Sequence, residues 1–86
     1  MNNKLYHEIL NLSLLIFDDK DYKKLVLLCQ KKEYNKIRLM CSDRIDYLNI
    51  VNEFDNKNVA QVQLDYCNKL EDIFTDLYIN DLTKIN

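Results

Sequence analysis

The thiols of Cys29, Cys41 and Cys67, the imidazole of His7 and 14 carboxylates are the side chains here that could carry chemistry. The thiols are odd in number and lie 12 and 26 residues apart, so they fit neither the close-paired spacing of a zinc site nor a disulfide framework. Each stands beside an apolar periodic position, where a free cysteine acts as a small buried hydrophobe, and that usage points to a reducing, cytoplasmic setting. His7, between Tyr6 and Glu8, completes no catalytic motif and reads as a solvent-facing helix position. The carboxylates fall in turns or opposite apolar stripes, where charges are ordinarily solvated. Asp55, Lys57 and the asparagines around them lack the glycine and terminal glutamate of a calcium loop. The expectation is a protein with no catalytic, cofactor or metal site, and no enzyme.

Neither glycine nor proline occurs in the 86 residues. Phosphate-cradling loops, the nucleophile elbow and the calcium loop all need glycine where backbone approaches a ligand or bends sharply, so none of them can be written here. Alanine occurs once and arginine twice, while Asn, Lys, Ile and Tyr abound. Because alanine is the best helix former, selection for helix would not have removed it; an AT-rich coding sequence would suppress all four types together.

Two surfaces could bind a macromolecule. Lys20, Lys23, Lys24, Lys31, Lys32, Lys36 and Arg38 oppose only Asp21 and Glu33, so residues 20–38 net +5 within a chain of net −2. With Tyr22 and Tyr34 among them, they could contact nucleic acid, although the scarcity of arginine argues against base-specific recognition. The other surface is the last helical segment, which carries two apolar stripes one residue apart. Val59, Val62, Tyr66, Leu70, Ile73 and Leu77 form one; Ala60, Leu64, Cys67, Phe74 and Tyr78 form the other. A helix touching two neighbours in a bundle needs a face this wide. If one stripe stays exposed, Leu64, Cys67, Phe74 and Tyr78 would take a partner helix or a second copy of the chain.

The elements that hold these residues are read from periodicity. Leu5, Ile9, Leu12 and Ile16 mark a first helix to about Phe17, begun by Asn2 or Asn3 and widened by Tyr6, Leu10, Leu14 and Leu15. Asp18 or Asp19 can cap the next. Apolar spacing then runs through Leu25, Val26, Leu28 and Cys29, weakens across 30–33, and returns at Tyr34, Ile37, Cys41, Leu48 and Val51, a heptad seam with Arg44 at its missing position. With no breaker between Tyr22 and Glu53, one long helix is preferred to two joined near 30–35. Asp55-Asn56-Lys57-Asn58 repeats the turn chemistry of Asp18-Asp19-Lys20-Asp21. Asn58 and Gln61 suit a capping box for a last helix from Val59 to about Leu82. No segment approaches the ~20 apolar residues of a membrane span, and the run Ile9 to Phe17 is broken by Asn11 and Ser13 and followed by acids, unlike a signal peptide.

The segment from Leu12 to Leu25, with its Phe17-Asp18-Asp19-Lys20-Asp21 turn, and the downstream Glu53-Phe54-Asp55-Asn56-Lys57-Asn58 resemble flagellar export chaperones. That likeness implies a helix, an acidic-aromatic turn, a long second helix and a third that binds cargo. The last helix is also similar to helical-hairpin phosphatases of sporulation response regulators. Their Ser-Gln-Glu-Leu-Asp signature would fall on Cys67-Asn68-Lys69-Leu70-Glu71, where Leu70 alone is kept.

The expected fold is all-α: a single domain over 1–86, a small antiparallel bundle of three helices, or four if the second divides. The expected function is binding another protein as an adaptor, chaperone or small inhibitor, of a size suited to a phage or mobile element, with no membrane partner. The alternative is a nucleic-acid-associated regulator acting through 20–38.

Overall fold

The computed structural model describes residues 2–54 and 59–83, and the described chain is helical: α1 (Asn3–Ile16), α2 (Asp19–Gln30), α3 (Tyr34–Asn52) and α4 (Val59–Thr83). The starts of α1 and α2 follow from two side chains. Asn2 Oδ1 accepts from the Leu5 amide at 2.7 Å, and Asp18 Oδ1 accepts from the Asp21 amide at 2.8 Å. Each satisfies an amide that a helix start leaves without a partner. Asp19 and Asp21 add negative charge to the first turn of α2, where the helix dipole favours it. The turn of residues 55–58 and the Asn58 cap lie outside the described residues.

The expected single helix from Tyr22 to Glu53 is in fact two. Helix α2 stops at Gln30 because Lys32 takes a left-handed conformation, φ 58°. The Lys32 amide then donates to the Cys29 carbonyl at 3.1 Å and the Glu33 amide to the Leu28 carbonyl at 2.9 Å. This paired closure is the Schellman ending, in which the left-handed position ordinarily belongs to glycine. A lysine there costs about 1–2 kcal/mol of backbone strain. The turn brings Tyr34 and Ile37 into the same core as Leu25 and Leu28, all four buried, and that burial offsets the strain. Lys32→Gly is therefore expected to raise stability by about 0.5–1 kcal/mol, seen as a few degrees in the thermal midpoint; Lys32→Val should lower it.

All four helices contribute to one buried cluster, which includes Ile9 and Ile16 of α1, Leu25 of α2, Ile37 and Leu48 of α3, and Leu70 and Phe74 of α4. Leu14 and Leu15, read as part of the apolar face of α1, stand exposed instead. Ser13 is fully buried among the hydrophobes, and its hydroxyl donates to the Ile9 carbonyl at 2.6 Å, so it carries no unmet polar group. Helix α3 packs most extensively on α4; α1 packs on α4 and α2, and α2 on α3. Along the α3–α4 pair, Arg38 Nε donates to Thr75 Oγ1 and Asn52 Nδ2 donates to Gln61 Oε1, both at 3.1 Å. The partners therefore run in opposite order along the two helices.

Helix lengths are unequal. At 1.5 Å per residue, α4 with 25 residues spans about 37 Å and α3 with 19 about 28 Å, against about 21 Å for the 14 residues of α1 and about 18 Å for the 12 of α2. The molecule is elongated, 48 × 22 × 21 Å. The joined ends of α3 and α4 therefore extend past what α1 and α2 can cover.

Candidate functional site

The predicted partner-binding stripe is largely interior. Leu64, Cys67 and Phe74 are buried, the last two with no exposed surface, and Tyr78 is half-buried. Phe74 meets the Tyr34 ring, centroids 6.0 Å apart, and the Arg38 guanidinium lies 5.2 Å from the centre of the Tyr78 ring. This stripe faces α3, so the expectation of an exposed Leu64-Cys67-Phe74-Tyr78 surface is corrected: its apolar area is already used against the bundle.

The thiols are set in the same interior. Burial pushes the Cys41 thiol up to about 12, with Cys67 and Glu71 adding to the rise. Burial raises Cys67 to about 11, opposed by the nearby Arg44 and reinforced by Glu71. Burial also raises Cys29. All three are free and buried, and thiols held protonated in this way are poor nucleophiles and poor metal ligands.

The seven cations of 20–38 do not act as one set. Arg38 is half-buried and committed, donating to Thr75 Oγ1 and, at 3.0 Å, to Asn35 Oδ1. Lys23 pairs with Asp19 and Lys36 with Glu33, each at 3.2 Å. Lys20, Lys24, Lys31 and Lys32 are exposed and make no ion pair among the described residues.

An uncovered apolar face lies elsewhere, on the other stripe of α4 and on α3. Met40, Asp43, Arg44 and Tyr47 line an open cleft of about 300 Å³ against Phe17, Asp21 and Lys24, at the start of α2. The side of α3 turned to α2 thus passes through 40, 43 and 47, and helical spacing carries it on to Ile50, with Phe54 following in the turn just past the helix end, where its amide donates to the Val51 carbonyl at 3.0 Å. Here nothing among the described residues covers it: Ile50 is 63% exposed and Phe54 79%. On α4, Lys69 reaches Glu8 of α1 at 3.2 Å, which identifies the side turned to α1. The same side continues back through Tyr66 and Val62 to Val59, and Val59 is 57% exposed. Both continuations leave the region where α1 and α2 pack and meet at the joined ends of the two long helices.

This projecting end is a built structure. Leu48, Ala60 and Leu64 are buried between its helices. Asn52 bonds Gln61, and Gln61 Nε2 donates to Asp65 Oδ1 at 3.1 Å. At its base the Arg44 guanidinium stacks 5.0 Å from the centre of the Tyr47 ring, while its buried Nε has no hydrogen-bond partner among the described residues. Sequence periodicity had placed Val59 and Val62 correctly on one stripe, but no residue signals that α1 and α2 stop short of them. The unequal lengths of the apolar segments were the available sign. No helix among the described residues is long and apolar enough to cross a membrane.

No family model, curated protein or solved structure matches this chain, so neither resemblance drawn from its residues gains a relative.

Proposed function

We propose that the chain is one antiparallel four-helix domain that acts without catalysis, as an adaptor, chaperone or small inhibitor, by binding another protein through the projecting end of α3 and α4. The observation carrying this reading is the apolar face through Tyr47, Ile50, Phe54, Val59 and Val62, each half-exposed or nearly so. Scattered surface hydrophobes are ordinary, but a contiguous patch on the order of several hundred Å² marks an interaction site. The opposite order of the 38–75 and 52–61 bonds supports the antiparallel arrangement, and three free buried thiols are in keeping with a cytoplasmic setting. Nucleic-acid binding through 20–38 draws less support, since Arg38, Lys23 and Lys36 are engaged within the chain.

A photo-crosslinking residue at position 54, compared with one at the exposed Asp72, tests the proposal in native cells. A discrete product is expected from position 54, and it should disappear when Val62→Ser is added. Equal labelling from both positions, or none from either, would overturn the reading.

A further inference from the structure

Resting on that reading, we infer that the occupant of the projecting face is a basic amphipathic helix of another protein. Charge around the face is one-sided. Among the described residues of 45–54 and 59–66 the charged side chains are Asp46, Glu53 and Asp65, with no lysine or arginine. Asp46, Glu53 and Asp65 are exposed; helical spacing places Asp46 and Asp65 along the outer margins of the apolar stripes, and Glu53 follows at the end of α3. Asp43 adds a fourth exposed carboxylate at the base. Of the nearest cations among the described residues, Arg44 lies on the Tyr47 ring and Lys69 is paired with Glu8, while Lys24 stands at the cleft beside Asp21 and Asp43.

An apolar strip between acidic margins is complementary to a helix with an apolar face flanked by lysine or arginine. The occupied half of the molecule shows how the face is filled, since α1 and α2 lie across the same two long helices further along. A partner helix would continue that layer. A second copy of this chain fits less well, because a two-fold pairing sets the same surface against itself and would bring the Asp46, Glu53 and Asp65 carboxylates of both copies together. The cleft at Met40 and Tyr47 ends the strip and gives a partner side chain a place to enter.

The test uses a designed peptide about five turns long, with leucines at helical spacing, lysines elsewhere and one tryptophan on its apolar side. The chain has no tryptophan, so the emission reports the peptide alone. A blue shift on titration is expected, with binding that weakens as salt rises. Phe54→Ser with Val62→Ser, both at exposed positions, should lower affinity by at least about tenfold. Asp46→Lys with Glu53→Lys and Asp65→Lys should do the same, while Asp72→Lys with Asp76→Lys, two and three turns beyond Asp65 along α4 and away from the projecting end, should leave it unchanged; circular dichroism checks that every variant is folded. A peptide with glutamate in place of lysine should not bind the parent chain and should bind the charge-reversed one.

Equal binding of the glutamate peptide defeats the basic partner while leaving a protein-binding face intact. So does a dimer that dissociates on Phe54→Ser and Val62→Ser, which would make the second copy the occupant. If neither peptide binds and position 54 captures nothing, the protein-binding reading falls as well. If the lysine peptide binds but is indifferent to Phe54 and Val62, this face is not its site and the inference is overturned.

Discussion

Replacing Phe74 with alanine should cost about 3–5 kcal/mol and leave the chain largely unfolded near physiological temperature. The ring is fully buried, beside Tyr34 and within the cluster to which all four helices contribute. Truncation there removes its transfer free energy and leaves a cavity that rigid helices close only in part. At about 0.05–0.15 kcal/mol per residue, a chain of 86 residues has roughly 4–13 kcal/mol in all, so the loss is a large share of the total. Phe54→Ala is the internal control. That side chain is 79% exposed, and its removal should change stability by no more than about 0.5 kcal/mol. Urea unfolding followed by circular dichroism compares the two, and equal losses would show that the interior has been wrongly assigned.

The second large effect is alkaline. The Cys41 thiol is held up to about 12 and Cys67 to about 11, from an ordinary value of 9.0. The folded state therefore keeps protons that the unfolded state releases, so their contribution to stability is fully present below about pH 9. It declines as pH climbs toward 12. Denaturation midpoints should be level from neutral pH to about 9 and then fall. A Cys41→Ala, Cys67→Ala chain should fall less steeply, retaining the parts due to the Cys29 thiol, raised by burial, and to Tyr34, whose phenol is raised by burial and by the neighbouring Cys29 and Asp81. At neutral pH a thiol reagent should reach Cys29 first. Cys29 borders a cleft with Tyr6 and Tyr34, whereas Cys41 and Cys67 have no exposed surface and should react only when the bundle opens. Equal reactivity of all three in the folded protein would contradict this arrangement.

Much of the fold was legible before any coordinates. Asn2 and Asp18 are capping residues that announce themselves, and the positions of Ile9, Leu12, Ile16, Ile37 and Leu48 followed from spacing. The break at Lys32 did not. Left-handed backbone at lysine has no sequence mark, and the turn exists because the core gains by it. The site was half legible for a related reason: periodicity tells which residues share a face, and only packing tells what lies over it. Leu64 and Val62, two residues apart on α4, fall on different stripes by spacing; which stripe stays exposed is left open by the sequence, and packing buries Leu64 and leaves Val62 out. Arg44, the gap in the α3 seam, is the exception that sequence flagged, and it stands where the covered part of the bundle gives way to the uncovered part.

Who touches whom along the chain bears on how the chain folds. Three of the four helix contacts join consecutive helices, and α1 with α4 is the one pairing between distant segments. Such a topology has low contact order, which places folding in the microsecond-to-millisecond range. The α3–α4 hairpin can form from local encounters alone, and the loop entropy of a nearly full-length closure is met only when α1 docks on α4. The docking of α1 is thus the natural last step of assembly and the natural first step of opening, while the projecting end, which belongs wholly to the hairpin, can be in place before the bundle is complete.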